Sequence, residues 1–400
     1  MSDIDLLIDA FESGNLLRPS ADTPNVVDLS NAIASLVGVP DTCDTPGSRQ
    51  IGEIIGQPEH LVFALCDGFG MHFFIESMDE NDFVPQHVAM ELRTVFPSST
   101  PVVLTSLTTG EWPARHAITG WDMYLPELHD VATIIRFHRR SDEKALDKLN
   151  IEPGQAYTLP SMFNRTRIHA LTLLPDYIAN SAFSNYAKGN SEQVAYKELE
   201  HAVDFIINSI ANADAPTYTY LYTPLIDSNA HEFGVTHRNT LACVRKVNRN
   251  LERLASGLPG NARLVMTADH GLVDTPYARI QTIEKSDQLL KHLKHEPYGD
   301  GRAMYFDIAR ESVPAFRDQF KRRFGDRFAL ISAEEMNDLK LLGPDPVSPL
   351  TMSRIGNLIA IPVGSDSIRH RFGVQKKGKT PVAGHGGLSP DEMRIPLLVA

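Results

Sequence analysis

Cysteine is scarce: Cys43, Cys66 and Cys243 are the only three in 400 residues, and no CxxC pair occurs. Three scattered thiols make no disulfide framework, so a reducing compartment is expected. Long apolar runs are missing as well. No window approaches the eighteen uncharged apolar residues, roughly, of a membrane span. The first residues, MSDIDLLIDAFESGN, are acidic and lack a basic segment followed by an apolar one, so no secretory signal is expected. Basic charge is in deficit: the net charge is −12 and the pI about 5.7. That balance argues against a nucleic-acid polymer or an anionic membrane as partner. Internal repeats and low-complexity tracts are absent too. The chain reads as a cytoplasmic protein acting on a small molecule, with its oligomeric state left open.

What is present is ordinary globular composition, 42% hydrophobic and 22% charged, with length for a large core. Residues 1–58 hold two expected helices, around Asp3–Ser13 and Leu29–Val37, and a loop from Pro40 to Ser48. No chemistry is evident there. From Leu61 the pattern changes. LVFALC (61–66), VATIIRF (131–137), IHALTLL (168–174), TYTYLYT (217–223) and ARLVMTA (262–268) are short apolar or β-branched runs that predict strands. Helical character is expected over 71–93, broken near Pro85. A long helix is expected from a capping-box-like start at Asn190–Gln193 to about Asn212, and an amphipathic one over His237–Ser256. Strands alternating with helices indicate an α/β fold with a doubly wound, mostly parallel sheet flanked by helices. Residues 275–378 differ. They carry strands at AMYFDI (303–308) and LIAIPV (358–363), a basic helix around Pro314–Arg323 and a Pro-rich loop, GPDPVSP. The expected division is therefore an N-terminal helical extension (1–58), an α/β core (59–274 plus 379–400) and an inserted α+β cap (275–378).

Ligands in such sheets bind outside the carboxyl ends of the strands. Four polar clusters fall near such points. Asp67 follows one strand, and Asp227 and His231 lie four apart in PLIDSNAHEFG, on one face of a helical turn. Asp269 and His270 end another strand, and Thr100 precedes Pro101 in FPSSTPVVLTSLTTGEWPARH. Proline at the first helical position places Thr100 at a helix N-terminus, where the dipole and the backbone N–H groups favour an anion. There Thr100 either caps the helix or attacks a phosphorus. His385 sits in GHGG near the end of the chain. Three aspartates and three histidines at one sheet edge are the donors of a two-zinc hydrolase, and the same oxygen and nitrogen set admits Mn²⁺.

These elements together resemble the alkaline phosphatase superfamily, in particular its type I phosphodiesterase/nucleotide pyrophosphatase branch. The matching stretches are CDGFG at Asp67, FPSSTP…TTGxxPxxH over 96–116, PLIDSNAHEFG, TADHG at Asp269 and GHGG at His385. The resemblance implies one Zn²⁺ held by Asp227, His231 and His385, and a second held by Asp67, Asp269 and His270. Thr100 would be both ligand and nucleophile, passing through a phosphothreonine. A phosphodiesterase is the activity implied. A phosphomonoesterase or phosphonate hydrolase on the same site, or a non-catalytic metal-bound scaffold, are the alternatives. Where nucleotide pyrophosphatases continue Phe-Pro-Asn-His after the threonine, this chain has Pro101-Val102-Val103-Leu104, and Trp121 stands at the position of their phosphate-binding asparagine. The sulfatase signature CxPxR is absent. Trp121 and the basic cluster Arg136, His138, Arg139 and Arg140 are candidates for binding the rest of the substrate, against a solvated turn offset by Asp142 and Glu143. His116 is expected to be structural, and Arg302 and Tyr305 are remote candidates from the cap.

Overall fold

A computed structural model of the chain describes residues 2–371 and 381–400. The expected cap boundary at 378/379 lies outside the described residues. The main body is a seven-stranded sheet in the order Val88–Arg93, Arg394–Val399, Ala262–Thr267, His60–Cys66, Thr217–Thr223, His169–Pro175, Glu192–Tyr196. The five strands from Ala262–Thr267 onward are mutually parallel, whereas Arg394–Val399 runs antiparallel to both neighbours. HLVFALC is buried along its whole length, as a central strand covered on both faces must be. This is the doubly wound α/β architecture expected from the strand–helix alternation.

Several local readings are corrected. The long helix does not start at Asn190–Gln193: Glu192–Tyr196 is an edge strand parallel to His169–Pro175, and the helix spans Leu199–Ala211. Asn190 caps nothing; its amide donates to the Asn164 carbonyl at 2.6 Å. Tertiary pairing outweighed a local capping signal. The helical reading of 71–93 holds only for His72–Ser77 and Phe83–His87, because Val88–Arg93 is drawn into the sheet beside Arg394–Val399. Residues 131–137 provide a shorter strand, Asp130–Thr133, which belongs to a second sheet. The loop after Pro40 gives way to a helix, Pro46–Ile55, started by a Thr45/Ser48 capping box.

The second sheet is also seven-stranded and antiparallel: Phe328–Ser332, Leu358–Pro362, Ala303–Phe306, Tyr298–Asp300, Asp122–Leu125, Asp130–Thr133, His138–Arg139. Its strands thus come from both 122–139 and 298–362, joined where Gly299 faces Asp122. Residues 1–58 are shared out as well. Leu7 and Ala10 of the first helix pack in the core of this second sheet, while helix Val26–Leu36 packs in the main core.

One buried ion pair links the two bodies. Arg302, beside the Tyr298–Asp300 strand, grips Glu392 through two bonds of 2.6 and 2.8 Å, and both side chains are sealed from solvent. Glu392 also accepts from the amides of Gly387 and Ser389 and from the Ser389 hydroxyl. Burial opposes its charge, but Arg302 and these donors hold the carboxyl below the usual range. Removing one partner leaves an uncompensated buried charge. Arg302→Met is therefore expected to cost about 3–5 kcal/mol of stability in urea unfolding. Arg394→Met, at a half-exposed pair with Glu91, should cost under about 1 kcal/mol. Equal losses would contradict the assignment of the Arg302–Glu392 pair as the stronger tie.

Candidate metal centre and active site

The site forms where three adjacent parallel strands end together. In register, Cys66 faces Thr223 and Leu65 faces Thr267, so the loops that follow bring Asp67, Asp227 and Asp269 side by side. Backbone bonds tighten the junction: Asp67 N–H donates to Thr223 O at 2.9 Å and Asp227 N–H to Asp67 O at 3.2 Å. Gly68 has φ +76°, and a Cβ there would meet the Asp227 Cα at 3.0 Å and Leu272 Cδ1 at 2.7 Å. Only glycine fits so sharp a turn. His231 lies one helical turn after Asp227 on Leu225–Phe233. His385 arrives on a separate loop, positioned by a two-stranded ribbon of Val273-Asp274 with Ala383-Gly384.

Thr100 occupies the first turn of the helix Thr100–Thr109, with Ser99 at the cap position and Gly110 ending the helix in the left-handed region. Among the described residues no side chain caps this end, so the Thr100 hydroxyl is not spent on capping. It lies 3.2 Å from His270 Nε2. Residues 100–108 are all buried, and the helix carries no charged side chain. The preceding turn is fastened to the GHGG loop by Ser98, whose hydroxyl donates to Gly387 O (2.8 Å) and accepts from Gly386 N–H (3.1 Å). Asp300, from the second sheet, accepts from the Ser99 hydroxyl (2.8 Å) and from Trp121 N–H (3.1 Å).

All three histidines present the same nitrogen to the site. Nδ1 of His231 faces Ala383 O at 2.8 Å, that of His270 faces Gly271 O at 3.0 Å, and that of His385 faces Ser98 O at 3.0 Å. A proton on Nδ1 satisfies each carbonyl and leaves Nε2 as the lone pair, the usual outer-shell arrangement of a metal-binding imidazole. Two groups of donors converge within 4.8 Å: Asp67, Asp269 and His270, and Asp227, His270 and His385. His270 is common to both. His231 Nε2 joins the second group through Asp227 Oδ1, 3.2 Å away.

The donor atoms fit a cation better than they fit each other. Asp67 Oδ1, Asp227 Oδ1 and Asp269 Oδ2 are buried and accept no hydrogen bond among the described residues. Yet they lie 3.7, 3.2 and 3.4 Å from an imidazole Nε2. Ligands at zinc-like bond lengths in a tetrahedron are about 3.3–3.4 Å apart. Electrostatics agree. Burial and the neighbouring Asp269 and Asp227 carboxylates push Asp67 well above its ordinary pKa, and burial with Asp227 pushes Asp269 to about 6. Burial drives His270 down to about 4 and His385 to about 3, keeping both neutral. Asp227 and His231 form an ion pair that overrides burial, holding the carboxyl below its usual range and raising the imidazole to about 9. A cation at this point would replace that imidazole proton.

From Thr100, Asp67 and Asp227 a cleft of about 960 Å³ opens, lined also by Trp121, Arg136, Arg139 and the exposed ring of Tyr177. The cleft thus brings Thr100, Asp67 and Asp227 together with Trp121, Arg136, His138, Arg139 and Arg140. Arg139 is chelated by Asp142 at 2.9 and 2.5 Å, so much of its charge is spent, whereas Arg136 is exposed. Arg302 and Tyr305 are buried away from the cleft. His116 has the structural role expected of it, bonded to Ser106 of the Thr100–Thr109 helix (3.0 Å) and to Ile118 N–H (3.1 Å). Sequence reasoning missed Ser98, Asp300 and Tyr222, whose hydroxyl donates to Asp67 Oδ2 at 2.5 Å. Ser98 sat inside the motif in plain view. Asp300 carried no local signal, because its partners are about two hundred residues away.

Comparison with known proteins decides the family. The pattern of the type I phosphodiesterase / nucleotide pyrophosphatase family matches residues 70–386. This chain belongs to that family. A bovine relative, ectonucleotide pyrophosphatase/phosphodiesterase family member 3 (Bos taurus), is 22% identical over 249 residues, 59% of this chain and 27% of its own length. The chain thus matches about a quarter of that protein. Among solved structures, murine ectonucleotide pyrophosphatase/phosphodiesterase 5 aligns with TM-score 0.60 at 17% identity, covering 84% of this chain and 87% of that one. Phosphonoacetate hydrolase from Sinorhizobium meliloti 1021, in complex with phosphonoformate, aligns with TM-score 0.58 at 17% identity, covering 86% and 90%. An inactive threonine-to-alanine form of the murine protein, in complex with AMP, aligns with TM-score 0.58 at 17% identity, covering 84% and 87%. These likenesses establish a shared fold.

The buried histidines make stability pH-dependent in this family member. Burial lowers His116 to about 3 in the folded chain, against about 6.5 when unfolded. The unfolded state therefore binds more protons between these values, and folded stability is full above about pH 6.5 and falls as pH drops toward 3. Urea unfolding at pH 7, 6, 5 and 4 should show the decline. His116→Asn should remove close to one proton, or about 1.4 kcal/mol per pH unit, from its slope. An unchanged slope would show that His116 is not among the groups responsible.

Proposed function

We propose that this chain is a metal-dependent hydrolase of phosphoric esters that prefers diesters, with Thr100 as nucleophile. The observation that supports this most is the convergence of the Thr100 hydroxyl with six metal-type donors, of which Asp67 and Asp227 line the cleft. In this reading Asp67, Asp269 and His270 with Thr100 hold one divalent cation, and Asp227, His231 and His385 a second. Zn²⁺ is the preferred occupant, and Mn²⁺ is compatible with the same donors. When bound, such cations supply Lewis-acid charge that offsets the phosphoryl oxygens and eases ionisation of the hydroxyl.

The chain's own residues then do the following. The helix dipole and the Thr100 amide, which has no hydrogen-bond partner among the described residues, attract the anionic phosphoryl group. Thr100 Oγ1, its proton passing to water, forms a bond to phosphorus as the bond to the leaving oxygen breaks. That oxygen departs with the electron pair and takes a proton from water. A second water attacks the phosphothreonine, releasing the product and restoring the hydroxyl. Ser98 and Asp300 hold the Ser99–Thr100 turn against the His385 loop throughout. The helix of Thr100, TPVVLTSLTT, carries no charge of its own. Such surroundings suit a diester, whose second substituent needs apolar room, better than a dianionic monoester. Trp121 and Arg136 line the cleft and are the candidates for contacting that substituent.

Bis-p-nitrophenyl phosphate and p-nitrophenyl phosphate, each assayed with and without chelator, test the reading. Chelator-sensitive hydrolysis, faster for the diester and restored by Zn²⁺ or Mn²⁺, is expected. Absence of chelator-sensitive turnover of either compound would favour the scaffold. Thr100→Ala should lower kcat by at least about a thousandfold. Its metal content by elemental analysis should be retained, and full activity in that variant would remove Thr100 as nucleophile.

A further inference from the structure

We infer that Tyr222 is a positioning residue of the metal centre, whose hydroxyl fixes Asp67 as a ligand through one oxygen and makes the Asp67–Asp269–His270 position the tighter of the two; this rests on the two-cation reading above. A carboxylate has two oxygens, and a partner on one of them decides which is left for a metal. Asp67 Oδ2 accepts from the Tyr222 hydroxyl at 2.5 Å. Asp67 Oδ1, buried and without a hydrogen bond among the described residues, faces His270 Nε2 at 3.7 Å. Asp269 is arranged in the same way. Its Oδ1 accepts from the N–H groups of Gly68 (3.1 Å) and His270 (3.0 Å), and its Oδ2 has no such partner. His270 is held through Nδ1 at Gly271 O. All three donors of this group are therefore anchored on their outer atoms, and all three are buried.

The other group is looser. Asp227 has no hydroxyl or N–H donor to either oxygen among the described residues, and the His231 side chain beside it is 30% exposed. Of the anchors on the tighter group, Tyr222 is the one that is a side chain on a different strand from its ligand. It sits opposite Leu65, two residues before Asp67, on the strand Thr217–Thr223 in the middle of the sheet. Its own carbonyl accepts from the Tyr196 hydroxyl at 2.7 Å, and its ring is buried. A group carried on so rigid an element holds its partner to a narrow range of geometry. A phenol has an ordinary pKa of about 10, so at neutral pH it keeps the proton that it donates. Alternation along TYTYLYT puts Tyr218 and Tyr220 on the same face, and both line the cleft. Tyr222 alone of the three meets a metal-type donor, because it stands nearest the end of the strand.

Zinc-loaded full-length protein, equilibrated with graded amounts of a chromophoric chelator, reads both affinities. The unaltered protein should release its zinc in two steps at least about tenfold apart. Tyr222→Phe keeps the ring and removes only the hydroxyl; it should weaken the tighter step about 10- to 100-fold and leave the looser one in place. His231→Ala, which removes a donor of the looser position, assigns the steps: the tighter one should remain, and adding Tyr222→Phe should weaken it by the same factor. Tyr220→Phe, the same chemical change on the same face, should move neither step. Unmoved steps in Tyr222→Phe overturn the role of Tyr222. So does a lower urea midpoint with the spacing of the steps unchanged, the signature of a purely structural residue. If bis-p-nitrophenyl phosphate is still hydrolysed in a chelator-sensitive way, the hydrolase reading stands in either case. No zinc uptake by the unaltered protein overturns both. If Tyr222→Phe fails to fold, a crystal structure of the zinc-loaded unaltered protein decides. Zinc on Asp67 Oδ1 alone, with Tyr222 on Oδ2, is expected; zinc on both oxygens, with Tyr222 turned away, overturns the assignment.

Discussion

Three carboxylates share one buried pocket, and their mutual repulsion is the constraint on which the rest of the structure depends. Asp67, Asp227 and Asp269 are brought together by strand ends that lie side by side, in a chain whose net charge is already −12. Each raises the free energy of its charged neighbour, as the upward displacement of Asp67 and Asp269 shows. Such a cluster is tolerable only when positive charge enters its centre. The three imidazoles, each turned so that Nε2 faces inward, are arranged to share that cation and not to replace it.

Holding these groups in place requires residues that never touch the centre. His270 and His385 come from different segments, yet their rings stack at 3.7 Å. A two-residue ribbon, the Ser98 clasp and the Arg302–Glu392 pair bring them together. The second sheet therefore does more than cover the first. Through Asp300 and Arg302 it holds the turn before Thr100 and the loop after His385 from the same side. Gly386, at φ +107°, lets that loop pass Asp300, whose Cβ a side chain there would meet at 2.8 Å.

The fold is shared with the solved relatives, and the cleft is built from segments far apart in the chain. A shared fold does not carry a substrate with it. The cleft walls come from the Thr100–Thr109 helix, the sheet and an N-terminal helix in which no chemistry was evident from sequence, although Ser30 and Ile33 line the cleft.

The residues that meet at the sheet edge were legible in the sequence: Thr100 before Pro101, and the Asp and His residues at strand ends, announce themselves because strand length, helix start and motif order are local properties. The central strands were legible for the same reason, since continuous burial leaves continuous apolar runs. Only tertiary structure decided the rest. Glu192–Tyr196 and Val88–Arg93 became strands because a sheet edge offered them hydrogen-bonding partners, which no local pattern encodes. His270 stands between both donor groups because two separate loops converge on it. Asp300 and Arg302 reached the site from a stretch that read as a separate cap, through contacts spanning 201 and 90 residues. Local sequence specifies which chemistry a residue can do; long-range packing specifies which residues meet to do it.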